Sequence, residues 1–333
     1  MLKRYGICYP WVGQSGIGAH HFLAAHIRRD PDKLFEARET YEQILEQLDR
    51  NIHQGDDSTS NAPTERKVVL SSEMLFHPER NNTERLEALL SLFTTVKVVV
   101  YLRRQDHYLP SYYNSIIRNG GTLNTFDKFC KNANMDYLKV LNGWSAIVGQ
   151  DNLIVRPFSK ELLYQGNICS DFLQCIDTPL TEQSLAASGM VNESLPLESL
   201  EILRYTNHRR VESPRVFHDF LDEHFRERRR GVSSTLMTEE IYDSIRERYQ
   251  EKNRQVASCY LKPEFVDSLN FPTEFSPPGE AYLPLTTEEL SGLAATLWNK
   301  HCAGPPQSLI WRRLKSALPS RLKILAQKYL PIS

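Results

Sequence analysis

The chain lacks an excess of charge of either sign. It has 40 Lys and Arg against 41 Asp and Glu in 333 residues, a formal net charge of −1. Without surplus cations a protein has no general pull toward nucleic acid, so no nucleic-acid partner is expected. Cysteine is sparse: the six are scattered, none sits in a C-x-x-C pair, and no His/Cys cluster has zinc spacing. That excludes a zinc module and a disulfide scaffold, and it suits reduced thiols in a cytoplasmic protein. No stretch reaches the roughly 18 apolar residues of a membrane span. The opening MLKRYGICYPWVG lacks the apolar core and cleavage site of a secretory signal. There is no internal repeat, and the absence of any G-x-x-x-x-G-K-[ST] phrase speaks against a nucleotide kinase. What remains is an ordinary globular composition, 41% hydrophobic and 24% charged, long enough for one large α/β domain or one domain with appendages.

The stretch with the most information is Val96 to Gly120, VKVVVYLRRQDHYLPSYYNSIIRNG. Its apolar, β-branched opening, Val96–Leu102, predicts a strand buried on both faces, as in a parallel sheet. Arg103 and Arg104 follow, then a helical segment carrying Ser111 and Ser115 one turn apart. Strand, charged turn and helix is how an α/β sheet presents groups at its carboxyl edge, where ligands bind. Arginine suits bidentate contact with a phosphate, and a serine hydroxyl on the helix's first turn can donate to the same oxygens. The stretch therefore predicts an anion site, most simply a phosphate site.

Arg103, then Ser111 eight residues later with Tyr112 and Tyr113 after it, resembles the 3′-phosphate-binding motif of sulfotransferases that use 3′-phosphoadenylyl sulfate (PAPS). The form LRRQDHYLPSYYN is similar to bacterial sulfotransferase-like proteins linked to glycan and capsule modification. Softer phrases agree: W-x-x-x-x-G-x-x-N-x-x-V-R-P-F from Trp144 to Phe158, DFL at 171–173, and N-x-x-V-A-x-x-Y from Asn253 to Tyr260. By match, Arg103 and Ser111 hold the nucleotide's 3′-phosphate. The run Val68–Leu70 predicts a second buried strand, followed by a helix over 79–93. Together with the Val96 strand it makes a right-handed βαβ unit, with Glu73 and Arg103 at the same edge of neighbouring strands. Some carbohydrate sulfotransferases keep a glutamate general base at that place, which makes Glu73 the candidate base. A loop cap or a partner for a nearby arginine is the structural alternative for it.

At the N-terminus, RYGICY at 4–9, the loop WVGQSGIGA and the helix HHFLAAHI have the order of a phosphate-cradling unit. The loop has no lysine, however, and Ser15 is its one hydroxyl, whereas the family's 5′-phosphosulfate loop reads like KTGTT. Gly6, Tyr9, Pro10, His20 and His21 resemble instead the family's later G-x-x-YP segment and histidine pair. On that resemblance the chain starts after the family's first strand and lysine loop, so the 5′-phosphosulfate loop is missing. His20 and His21 either face substrate or flank a helix start. Residues 32–51 predict one amphipathic helix and 52–66 an exposed loop. One helix, or two with a break, is expected over 126–149, and a third strand over 152–158, with Arg156 structural. Residues 177–196 read as a surface loop leading to a mainly helical second half. There ERRRGVSS offers Arg229, Arg230 and Gly231 either as a turn over the 3′-phosphate or as a solvated helix end.

The resemblance implies a three-layer α/β sandwich with a central parallel sheet, the P-loop NTPase-like sulfotransferase fold, with helical additions in the C-terminal half. The expected division is a sulfotransferase-like domain over 1–265, a Pro-rich linker over 266–290 and a helical basic tail over 291–333. The tail SLIWRRLKSALPSRLKILAQKYLPIS has six basic residues and no acidic one. It suits either an anionic membrane surface or partner protein, or docking on the domain, so the expected location is cytoplasmic or peripheral to a membrane. The implied activity is transfer of a sulfuryl group from PAPS, the co-substrate, to a hydroxyl of a carbohydrate, with no metal required. The alternative is a non-catalytic relative that binds a nucleotide or glycan, or assists capsule assembly.

Overall fold

The computed structural model describes residues 7–15, 19–34, 37, 39–53, 67–180, 194–207, 214–228 and 234–302. Outside them lie Gly6, Gly16 and Gly18, the turn at Arg229, Arg230 and Gly231, and the basic tail from 303 onward. In chain order the elements are β1 (Ile7–Cys8), α1 (His21–Arg28), α2 (Pro31–Leu34), α3 (Tyr41–His53), β2 (Lys67–Val68), α4 (Thr83–Leu90), β3 (Val98–Leu102) and α5 (Gln105–Arg118). Then follow α6 (Phe126–Asn132), α7 (Tyr137–Val148), β4 (Leu153–Pro157), α8 (Ile168–Cys175), α9 (Leu197–Asn207), α10 (Pro214–Arg228), β5 (Ser234–Thr235), α11 (Glu239–Tyr260), β6 (Glu280–Ala281) and α12 (Thr287–Cys302). The protein is mixed α/β and mostly helical, with short parallel strand pairs.

The chain divides into two compact units. The first comprises Met1–Arg103, Asp136–Ser188 and Glu251–Asn270, the second Arg104–Met135, Gly189–Gln250 and Phe271–Ser333. In the first unit β1 pairs with β2, and β3 pairs with β4 in register from Val98↔Leu153 to Leu102↔Pro157, each pair parallel. The Val96 strand thus starts at Val98, and β4 supplies its ladder. β2 and β3 belong to different pairs, so among the described residues the expected βαβ unit is not closed by hydrogen bonds. Burial on both faces also holds only in part, because Val100 and Leu102 are buried while Val98, Val99 and Tyr101 are half-buried.

The core of the first unit is aliphatic where α1, α3 and α4 meet, with Leu23, Ile27, Ile44, Leu48, Leu86 and Leu89 buried. Predicted as one helix, residues 32–51 are two, α2 and α3. The second starts at Thr40, whose hydroxyl accepts from Gln43 N–H (3.3 Å) while Gln43 Oε1 accepts from Thr40 N–H (2.8 Å). This is a capping box, and it satisfies helix-end donors that a continuous helix would not expose. Gly13 has φ of +70°, and a Cβ there would lie 2.9 Å from Leu23 Cβ. This glycine is therefore demanded by the turn and by the close approach of α1.

In the second unit α5, α6, α9, α10 and α11 bury Leu109, Tyr113, Ile117, Phe126, Leu203, Leu221 and Tyr249. Tyr113 stacks edge-on to Phe126 at 5.3 Å and gives its hydroxyl proton to Asn124 O at 2.8 Å. Part of the expected Pro-rich linker is packed here. β6 pairs with β5, and Tyr242 donates to Pro272 O at 2.7 Å.

Candidate functional site

Glu73 opens a short 3-10 turn, Glu73–Leu75, capped by Ser72, whose Oγ accepts from Met74 N–H at 3.2 Å. The Glu73 side chain is 93% exposed, and His21 Nε2 lies 3.6 Å from its Oε2. His21 Nδ1 is 2.8 Å from Ser72 Oγ. The histidine at the N-terminus of α1 thus bridges serine and glutamate. A hydroxyl reaching Glu73 from solvent would meet an accessible carboxylate.

His20 is different. It is the N-cap residue of α1 and has 0% exposure. Its Nδ1 accepts from Ser71 N–H at 3.1 Å, so the ring proton is on Nε2, which donates to Pro10 O at 3.0 Å. Ser71 O in turn accepts from His20 N–H at 2.7 Å. Tyr9 packs edge-on to the ring at 4.7 Å. Burial holds the imidazole below its ordinary pKa against the opposing pull of its backbone bonds. His20 is a neutral staple between the loop after β1 and the loop after β2, and of the two structural and functional readings it takes the structural one.

Glycines after β1 could hold a phosphate through free backbone donors. At Gly13 the N–H is instead directed at Glu39 Oε2, 3.3 Å away, and a carboxylate in that place repels an anion.

Arg103 is the last residue of the first unit. It follows β3 directly, is half-buried, and its carbonyl accepts from Tyr137 Oη–H at 2.7 Å. Arg104 caps α5 and is committed to its own turn. Its Nε is 2.7 Å from Asp106 Oδ1, its Nη2 is 2.9 Å from Asp106 Oδ2, and Nη2 also donates to His107 Nε2 at 2.7 Å. Ser111 belongs to the second unit and is exposed. It is expected on the first turn of the helix, but α5 begins at Gln105, so Ser111 stands in the second turn. Pro110, tolerated inside α5, marks the place where the sequence suggests a start.

Ser111 lines a cavity of about 670 Å³ in the second unit, together with Arg104, His107 and Asn114 from the same face of α5 and Glu198 from α9. Asn114 and Glu198 were not candidates in the sequence. Asn114 was within reach of the reasoning, because it lies three residues after Ser111 and so on the same helical face. Glu198 belongs to a distant segment, and no local pattern marks it.

Arg156 is structural, as the sequence reading has it. It pairs through two bonds with the fully buried Asp171, Nε–Oδ1 at 2.9 Å and Nη2–Oδ2. Asp171 also accepts from Tyr101 Oη–H at 2.7 Å and Tyr164 N–H at 2.8 Å. Burial alone would raise the Asp171 pKa, but the Arg156 bond and the two neutral donors outweigh it and hold the carboxyl below its usual range. Arg156 lies over the Phe265 ring at 4.3 Å. The described thiols are free, and burial pushes Cys130 up to about 12. No group of three or more His, Cys, Asp or Glu able to hold a metal ion occurs among the described residues. No helix of the described residues is long and apolar enough to cross a membrane.

No family model matches the chain, and no solved structure matches it. It is similar to a protein of Archaeoglobus fulgidus described as uncharacterized, with 30% identity over 115 residues, 34% of this chain. The chain covers 31% of that relative's length.

Proposed function

We propose that the chain is a sulfotransferase-type protein that moves a sulfuryl group from PAPS to a hydroxyl of a carbohydrate, on a P-loop NTPase-like three-layer fold. The observation that carries the reading is the succession of β3, parallel to β4, then Arg103, then α5 with Ser111. Arg103 would hold the 3′-phosphate by its guanidinium, and Ser111 would donate to the same group. The acceptor oxygen would attack sulfur as the bond between sulfur and the nucleotide's bridging oxygen breaks. Adenosine 3′,5′-bisphosphate leaves with that electron pair. Glu73 would take the acceptor's proton, with His21 keeping the carboxylate in place.

A second reading is a relative that binds nucleotide or glycan, or assists capsule assembly, without transfer. It is favoured by the Gly13 N–H directed at Glu39, which takes that donor away from an anion. Transfer of labelled sulfate from PAPS to neutral oligosaccharides, by the intact chain and by Glu73→Gln, decides between them. The transfer reading predicts turnover that falls on the order of 10²–10⁴-fold in the variant, with nucleotide affinity unchanged. Nucleotide binding without turnover selects the second reading.

A further inference from the structure

Trp11 is 87% exposed, yet the backbone around it is firmly held. Pro10, Val12 and Gly13 are buried. Pro10 O accepts from His20 Nε2 at 3.0 Å and from Gln14 Nε2 at 2.5 Å, and Gly13 O accepts from Leu23 N–H at 3.1 Å. A single exposed apolar side chain is ordinary. An indole with nearly all its surface in water contributes little burial to the fold, so packing does not account for it. Carried on a stapled loop, and with only two side-chain torsions, it loses little entropy when a ligand covers it.

The position of Trp11 narrows what that ligand is. β1 and β2 are parallel, so the chain leaves both at the same edge, toward Trp11 after β1 and toward Glu73 after β2. His20 ties the two exits together. One ring nitrogen holds Pro10 O, next to Trp11, and the other holds Ser71 N–H, two residues before Glu73. The exposed indole and the exposed carboxylate, with His21 Nε2 3.6 Å from its Oε2, therefore share one edge of the first unit. The face of an indole attracts the weakly positive C–H face of a sugar ring, and a carboxylate accepts from sugar hydroxyls. A saccharide carries both features and so engages both groups. A lipid tail or an apolar peptide would use the indole alone.

We propose that Trp11 is the stacking platform for a saccharide, holding the ring by its C–H face while a hydroxyl of the same sugar reaches Glu73. The inference rests on the proposed transfer only in calling that sugar the acceptor; its binding needs no nucleotide. Trp11 touches the substrate away from the reacting oxygen. Its loss therefore falls on acceptor affinity, whereas the loss of Glu73 falls on the chemical step.

The test is saturation-transfer NMR on the intact chain with lactose, cellobiose and N,N′-diacetylchitobiose, beside sorbitol, which has hydroxyls but no ring, and phosphatidylcholine vesicles. The expected result is transfer to the ring C–H protons of at least one disaccharide, weakened roughly tenfold by Trp11→Ala and partly restored by Trp11→Phe, which keeps an aromatic face. Since the indole is almost wholly in solvent, both variants should fold as the native chain does, which circular dichroism checks. The proposal is overturned if no disaccharide binds, if Trp11→Ala binds the sugar as well as the native chain, if sorbitol binds equally, or if the vesicles rather than the sugars shift the Trp11 emission. A parallel titration with adenosine 3′,5′-bisphosphate separates this proposal from the transfer. Sugar binding without nucleotide binding refutes the transfer and keeps the saccharide platform. Nucleotide binding without sugar binding does the reverse.

Discussion

Asp171 in the first unit and Asn114 in the second are both buried polar residues, and the protein treats them in opposite ways. Asp171 receives Arg156, Tyr101 and the Tyr164 N–H, so nothing on it is left to offer. Asn114 receives no side-chain partner among the described residues and opens on a cavity. A saturated buried polar cluster specifies the fold, and an unsaturated one at a cavity wall is spare capacity for a ligand. The same contrast holds on a smaller scale between the two histidines at the start of α1. His20 uses both ring nitrogens inside the protein, while His21 bridges Ser72 to an exposed Glu73.

The largest effect that would break this contrast lies at Asp171. Replacing it with Asn leaves the Arg156 guanidinium buried without its counter-charge, at a cost of about 3–5 kcal/mol. Urea or thermal unfolding should show it, and Asp171→Leu with Arg156→Met should recover much of the loss. The sign of the pH effect follows from the carboxyl's depressed pKa. Its contribution is fully present above the unfolded value of about 4 and is lost as pH falls below that toward the folded value. The Asn variant should therefore lose the part of the acid-unfolding limb that Asp171 supplies.

A smaller effect belongs to His20, whose folded pKa is also depressed. The unfolded chain binds a proton there more readily, so stability is full above about pH 6.5 and declines as pH falls from it. His20→Gln should flatten that decline in denaturant midpoints measured between mildly alkaline and mildly acid buffers. An unchanged slope would mean that the staple is not the group responsible. The smallest stability change is expected at Asn114→Leu. Removing an amide that makes no side-chain hydrogen bond among the described residues should shift the denaturant midpoint little. A large loss of stability there would mark Asn114 as structural and erase its difference from Asp171.

The parts of the fold that local chemistry dictates were legible. α7 starts at Asp136, whose side chain accepts from Lys139 N–H at 3.1 Å, and this cap is the break expected within residues 126–149. The Arg-Pro-Phe end of β4 holds too, with Phe158 N–H donating to Leu102 O at 2.7 Å. The capping box at Thr40 was equally local and was missed because the apolar spacing runs on across it. Which strand pairs with which was not legible, since pairing depends on residues far apart in the chain. At the site, the shared face of Arg104, His107, Ser111 and Asn114 follows from helical spacing once α5 is known to start at Gln105. Pro110 obscured that start. That Arg104 would be consumed by Asp106 was readable only in part, because a two-residue spacing allows the pair without requiring it. Glu198, some eighty residues from Asn114, could be brought to the cavity only by folding.

The most direct measurement is a calorimetric titration of the intact chain with adenosine 3′,5′-bisphosphate, beside Arg103→Ala. The account predicts one saturable site whose affinity drops by about 1.5–3 kcal/mol in the variant, the worth of a charge-assisted contact. No binding by the intact chain, or equal binding by the variant, would contradict it.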